Sequence, residues 1–139
     1  MLNAGEATFD TPDFSLVLVR SSQTVAALHP KLAPEFDFTP GDRLVERSQN
    51  GDYYLGDLDL RLRMGNSGEW KNYSTAFARQ PVRALPVSGN ILAQADLAPT
   101  LPADIPLQIT RSWAVEDGKL VLRYVLKNKS SQTIEIGAL

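Results

Sequence analysis

Two aspartates separated by one residue, Asp57 and Asp59, are the side chains whose types and spacing come nearest to acid–base chemistry. In an extended strand they share one face with their carbons about 6.6 to 7 Å apart, close to the carboxyl separation that admits a water molecule in an inverting glycosidase. Arg61 and Arg63 follow on the same face, so the four charges also fit a solvated ladder of weak ion pairs. We favour the ladder, and we predict no catalytic residue.

The side chains needed for a metal site or a hydrolytic triad are scarce in this chain. It has one histidine, His29, and no cysteine. A lone histidine cannot supply a multi-histidine metal site or pair with a second histidine, and no G-x-S-x-G elbow surrounds any serine. No glycine-rich phosphate loop and no complete calcium loop occurs either. We therefore predict no metal and no cofactor.

Three aromatic residues, Trp70, Tyr73 and Trp113, have rings that could stack on a sugar. An aromatic residue in a strand more often belongs to the core, because burial of its large apolar area holds two sheets together. We favour the core for Trp113 and leave both alternatives open for Trp70, which follows a turn. The residues predicted to contact a carbohydrate are Trp70, Tyr73, Asp57 and Arg63.

Composition restricts the classes of partner. The formal net charge is -2 and the sequence pI is about 5.3, which gives no long-range attraction for nucleic acid or for an anionic membrane. Apolar residues make up 43% of the chain, enough for one folded domain of 139 residues. The first residues do not resemble a signal peptide, whereas two N-glycosylation tripeptides, at Asn72 and Asn128, give weak support for export.

The stretch from Leu107 to Gly137 organises the predicted fold. Apolar residues recur at every second position on both sides of Asp117-Gly118, which is typical of a β-hairpin with a tight turn. Thr133 to Gly137 is expected to add a third antiparallel strand to this apolar face. Three such strands require a second layer, which the rest of the chain must supply.

Further strands are predicted along the chain before this hairpin. A first hairpin is expected from Phe14–Arg20 and Gln23–Leu28, ending at His29-Pro30. Other segments are an irregular loop pinned by two buried rings (Phe36 and Phe38), a short strand (43–47), a turn (Asn50-Gly51), a strand with one wet face (52–63), a strand that is bulged or covered on both sides (69–75), and a proline-rich connector (81–106) with a strand at 90–97. We predict a single all-β domain, 1–139: an antiparallel two-layer β-sandwich with little or no helix.

Four segments together resemble a known protein type: SSQTVAAL (21–28), FDFTPGD (36–42), GDLDLRLR (56–63) and LKNKSSQTIEIGAL (126–139). They are similar to the N-terminal part of large secreted microbial proteins of the six-hairpin glycosidase type. In those proteins a galactose-mutarotase-like β-supersandwich precedes an (α/α)6 toroid that carries the catalytic carboxylates. The resemblance implies the sandwich without the toroid, and His29 alone does not match the paired histidines of a mutarotase.

The resemblance implies a non-catalytic N-terminal domain of a glycoside hydrolase-like, secreted, carbohydrate-active protein. Its expected partner is a C-terminal catalytic domain beyond Leu139, against which it packs. The alternatives are an autonomous carbohydrate-binding or adhesion module and, ranked last, a glycosidase using Asp57. An exposed strand edge near Thr133 to Leu139 also predicts dimerisation.

Overall fold

The computed structural model describes residues 5–39, 54–65, 68–78 and 80–139. Within these ranges the chain forms β1 (Glu6–Asp10), β2 (Phe14–Val19), β3 (Val25–Pro30), β4 (Asp59–Met64), β5 (Lys71–Ser74), β6 (Arg83–Ala84), β7 (Ile91–Asp96), a 3₁₀ turn (Ala98–Thr100), β8 (Leu107–Glu116), β9 (Lys119–Asn128) and β10 (Ile134–Ala138). Each strand pairing is antiparallel. The predicted all-β class is confirmed.

The strands form three sheets in two layers. Sheet I has the order β1-β2-β3, sheet II has the order β10-β4-β5, and sheet III has the order β6-β7-β8-β9. One end of sheet III packs on sheet I around Trp113, and the other end packs on sheet II around Ile109. The two smaller sheets therefore lie side by side over the inner face of sheet III, and the Val25 N–H joins them by donating to the Leu55 carbonyl at 3.0 Å.

The hairpin predicted around Asp117-Gly118 is confirmed as the long hairpin of β8 and β9. Asp117 and Gly118 both have positive φ, 51° and 75°, which gives a tight turn with Glu116 opposite Lys119. Two-residue alternation then places Ile109 and Trp113 in the core. These inward residues supply the apolar face that both smaller sheets cover.

The last strand corrects one expectation. β10 does not extend the sheet of the hairpin; it pairs with β4, with Glu135 opposite Arg63, in the other layer. The Asn128 side chain caps the turn between β9 and β10 by accepting from the Ser130 N–H at 2.8 Å and donating to the Gln132 carbonyl at 2.7 Å. This turn carries the chain across the sandwich, and β9 stays at the edge of sheet III.

The first hairpin is confirmed as β2 and β3, with two differences. β3 continues through Pro30, which lies opposite Phe14 at the edge of sheet I, where a missing amide donor costs little. A strand that was not predicted, β1, pairs with the other side of β2, and Phe9 packs against the core.

The loop after β3 is not pinned by buried rings, contrary to the prediction. Phe36 is 53% exposed and Phe38 is 59% exposed, and the two rings contact edge to face with centroids 5.0 Å apart. The loop is instead held by Asp37, whose Oδ1 accepts from the Leu28 and Thr39 N–H groups at 3.0 and 2.9 Å. The strand predicted at 43–47 and the turn at 50–51 lie outside the described residues.

The predicted connector 81–106 contains β6 and β7, so the strand expected at 90–97 is confirmed. Asp96 ends β7 and is buried. One of its oxygens accepts from the Ala98 N–H at 2.9 Å, and the other pairs with Arg83. These contacts start the 3₁₀ turn that leads the chain toward β8.

Candidate functional site

The outer face of sheet II carries the charged residues that the sequence singled out. Leu60 and Leu62 of β4 point into the core, so Asp59, Arg61 and Arg63 point outward. The neighbouring strand β5 places Asn72 directly opposite Arg61. The predicted strand over 52–63 is shorter in the structure, because residues 54–58 form a turn and a loop and β4 begins at Asp59; within β4 the solvent-exposed and buried faces are as predicted.

Trp70 lies across this outer face just before β5. The guanidinium carbons of Arg61 and Arg63 are 5.0 and 4.7 Å from its ring centroid, which is cation–π distance. Gly137 of β10 leaves room for the ring, because a Cβ there would lie 2.8 Å from Trp70 Cζ3. Although Trp70 is 36% exposed, the arginines therefore occupy much of the surface that a sugar ring would stack on.

Tyr73 lies on β5 and points to the opposite, inner face of sheet II. It is 6% exposed and belongs to the core between sheets II and III. Burial raises the pKa of its phenol above 10.0, and the nearby carboxylate of Asp104 adds to the effect. Its ring cannot form a sugar platform together with Trp70. The strand is not covered on both sides, because Asn72 on its outer face is exposed.

Asp57 lies before β4 and shapes the loop there. Its Oδ2 accepts from the Tyr54 N–H at 2.7 Å, and its Oδ1 accepts from the Thr75 hydroxyl at 2.9 Å. Thr75 Oγ1 in turn accepts from the Leu58 N–H at 2.9 Å. Asp57 thus joins the loops that flank β4 and β5, a structural role different from the acid–base role considered with Asp59.

Arg63, the fourth predicted contact residue, forms an ion pair with β10. Its Nε lies 2.5 Å from Glu135 Oε2. The predicted ladder of Asp57, Asp59, Arg61 and Arg63 is therefore replaced by contacts to three other partners: a backbone loop for Asp57, Trp70 for both arginines, and Glu135 for Arg63. The four predicted contact residues do not converge on one surface, and sugar contact at them stays a prediction.

A cleft of about 360 Å³ opens on the same outer face, toward the beginning of β4. Asp59, Arg61 and Asn72 supply its polar groups, and Phe77 and Leu139 supply apolar walls. A second cleft of about 230 Å³ lies near the end of β4, where Lys71 pairs with Asp104 at 3.3 Å. The first cleft is the better candidate for binding, because its polar groups do not pair with one another.

The sequence analysis did not recognise the role of Arg111. This side chain is 1% exposed, and it donates to the Ser22 carbonyl beside sheet I and to the Gly56 carbonyl beside sheet II. It holds the two smaller sheets against the inner face of sheet III. The signal was available: Arg111 shares the parity of Ile109 and Trp113, so two-residue alternation already placed a charge inside the sandwich.

Neighbouring side chains reinforce this junction. The Tyr124 hydroxyl donates to the Gly56 carbonyl at 2.8 Å, and burial raises the pKa of this phenol above 10.0, so it remains a donor at neutral pH. Trp113 is buried, as we favoured, and its Nε1 donates to the Gln23 carbonyl at 2.8 Å. The Tyr124 hydroxyl and the Trp113 indole N–H therefore both donate to backbone carbonyls inside the sandwich.

Among the described residues there is no group of three or more His, Asp and Glu side chains placed to hold a metal ion. His29 lies at the edge of sheet I, where its Nδ1 is 2.8 Å from the Phe36 carbonyl. In the described part of the chain no helix is long and apolar enough to cross a membrane.

A family relationship follows from sequence comparison. The family described as "Family of unknown function (DUF5695)" matches residues 17–139. The chain belongs to DUF5695. No curated protein and no solved structure matches it. The match includes β3 to β10 and the second half of β2, so both clefts and the Arg111 junction lie within the DUF5695 region.

Proposed function

We propose that this DUF5695 chain is a non-catalytic β-sandwich domain of a secreted, glycoside hydrolase-like protein, and that it packs against and shapes a catalytic domain of that protein. The resemblance of four segments to N-terminal sandwich domains of six-hairpin glycosidases suggests the class. The structural support is that buried charged groups such as Arg111 and Asp96 serve internal contacts.

The observation that carries the proposal is the Phe36 loop, which we define as residues 32–38. Its backbone is anchored to sheet I, since the Phe38 N–H donates to the Leu28 carbonyl at 3.0 Å and Asp37 holds the neighbouring amides. Leu32, Phe36 and Phe38 nevertheless project into solvent. A firmly held loop that displays aromatic rings is suited to anchor a partner surface, because little conformational entropy is lost on docking.

The simplest test is the natural reading frame, which must encode a further domain for the proposal to stand. In the full-length natural polypeptide, we expect the sandwich and its neighbour to unfold in one calorimetric transition. Replacing both rings (Phe36→Ser with Phe38→Ser) should split this transition or lower the melting temperature of the neighbour. The matched control is Val87→Ser with Val125→Ser, which removes two other exposed apolar side chains. Equal behaviour of the two double variants, or a natural chain without a second domain, would reject the docking surface.

The second candidate is an autonomous carbohydrate-binding module. The cleft of Asp59, Arg61 and Asn72 favours it, because polar side chains beside an exposed aromatic ring are what a sugar site requires. Saccharide binding by the isolated chain, with no further domain in the natural polypeptide, would select this candidate over the first.

Self-association is a separate proposal about partners. β10 forms one edge of sheet II, and only β4 pairs with it in the described residues. An unpaired strand edge favours addition of a strand from a second chain. We expect the isolated chain to form dimers at high concentration in light scattering, and a strictly monomeric chain would argue against this edge.

A further inference from the structure

Three polar side chains of the larger cleft are exposed and point away from the core: Asp59, Arg61 and Asn72. Within the described part of the chain, Asp59 forms no ion pair, Asn72 forms no side-chain hydrogen bond, and the Arg61 guanidinium forms neither but lies over the Trp70 ring. Their hydrogen-bonding capacity is therefore available to a ligand.

Asp59 and Arg61 do not form an ion pair with each other, although their spacing would allow one; the Arg61 guanidinium lies over the Trp70 ring instead. They are two positions apart on β4, about 6.6 to 7 Å between α-carbons, and a hollow lies beside them. Other charges of this sheet do meet opposite charges: Arg63 pairs with Glu135 of β10, and Lys71 pairs with Asp104 in the loop before β8. Asp59 and Arg61 thus differ from their neighbours in facing a space of ligand size.

The walls of the cleft add a stacking surface. Phe77 is 73% exposed although it is a large aromatic residue, and it lines the cleft together with the polar groups. A volume of about 360 Å³ falls in the range of small-ligand sites. Trp70 holds the guanidinium of Arg61 from the side and so positions it for contact.

From these observations we infer that the cleft binds a saccharide ring. Asp59 would accept hydrogen bonds from ring hydroxyls, Arg61 and Asn72 would donate to them, and Phe77 would pack against the C–H face of the ring. A simple anion would be opposed by Asp59, and a simple cation by Arg61. The choice of a saccharide as the ligand rests on the proposed carbohydrate function. The availability of the polar groups rests only on the contacts described above.

The test is an NMR titration of the isotope-labelled chain with D-glucose, D-galactose, maltotriose and cellotriose. We expect at least one probe to shift the amide signals of Arg61, Asn72 and Phe77, with a dissociation constant on the order of 0.1 to 10 mM for an open site. Asp59→Asn and Phe77→Ala should each weaken binding about tenfold, since each removes one specific contact. Both positions are exposed, so the variants should keep the fold, which circular dichroism will check.

The control is Asp104→Asn, which makes the same chemical change beside the smaller cleft and should leave the affinity unchanged. No shift with any probe, shifts located elsewhere, or equal weakening by the control would overturn the inference. The Phe36→Ser/Phe38→Ser variant should bind saccharide normally. Saccharide binding at the cleft together with unchanged docking of the Phe36→Ser/Phe38→Ser variant would therefore reject only the packing surface, and loss of docking in that variant with no saccharide binding by the unsubstituted chain would reject only this site.

Discussion

Two arginines of this sandwich have opposite environments. Arg111 lies inside, where it donates to carbonyl groups beside both smaller sheets. Arg61 lies outside on β4, where its guanidinium lies over the Trp70 ring and the residue lines a cleft. A buried charge must have its hydrogen bonds satisfied for the fold to be stable, whereas an exposed charge can keep them for a ligand.

Two glycine–tryptophan contacts repeat this contrast. Gly56 lies against the buried ring of Trp113, and a Cβ there would be 2.7 Å from Trp113 Cζ2. Gly137 lies against Trp70, whose ring is partly exposed and has room to move. The close approach of Gly56 therefore fixes the position of the buried Trp113 ring, whereas the close approach of Gly137 supports the Trp70 ring from one side only. The inner contacts determine the fold, and the outer contacts are the ones that can change in function.

The largest expected effect comes from Arg111→Met. The substitution removes the donors to the Ser22 and Gly56 carbonyls, and leaving buried acceptors unsatisfied should lower the free energy of unfolding by about 3 kcal/mol. Arg61→Met should cost less than about 1 kcal/mol, since it loses only a partly exposed cation–π contact. Urea unfolding followed by tryptophan fluorescence measures both. Similar costs for the two variants would remove the distinction between the inner and outer arginines.

The next effect concerns the glycines. Gly56→Ala should cost about 2 to 3 kcal/mol, because φ is +106° at this position and the new methyl group meets a ring that cannot shift. Gly137→Ala should cost about 1 kcal/mol or less, since its φ is not positive and Trp70 can tilt outward. The same unfolding assay applies. A larger cost at Gly137 would mean that Trp70 is as rigid as Trp113.

The fold was predictable where a local pattern was strong. Two-residue alternation with Asp117-Gly118 between the runs specified the long hairpin, and alternating leucines specified β4. β1 was missed because only Ala7 and Phe9 mark its inner face in a polar stretch. The partner of β10 was not predictable, since strand order depends on contacts between distant segments, here Ile136 with Leu62.

The candidate site was less predictable than the fold. Asp59 and Arg61 are neighbours in sequence, but Asn72 and Phe77 join them only through the register of β4 with β5 and the turn that follows. Asp57 looked equivalent to Asp59 by spacing, yet it precedes the strand and turns to the Tyr54 amide and the Thr75 hydroxyl. A carboxylate that caps a loop and one that faces a cleft have the same sequence signature.

Asp37 is partly buried, intermediate in exposure between the buried Arg111 and the exposed Arg61. The pH dependence of stability tests whether its hydrogen bonds stabilise the chain. Partial burial alone would raise its pKa, but hydrogen bonds from the Leu28 and Thr39 amides and the Thr39 hydroxyl outweigh this and hold the pKa below 3.8. Because the folded-state pKa is the lower one, the stabilisation is present above about pH 3.8 and is lost as the pH falls through the folded-state value. Asp37→Asn should therefore cost about 1 kcal/mol near neutral pH, after allowing for solvent screening, and progressively less at acid pH. Urea unfolding at a series of pH values measures the difference.

The comparison variant is Asp10→Asn. Its exposed carboxylate has its pKa lowered by the Lys31 hydrogen bond, so the loss of stability should change with pH in the same direction but be smaller. A cost for Asp37→Asn that does not change with pH would show that the charge of Asp37 does not hold the Phe36 loop.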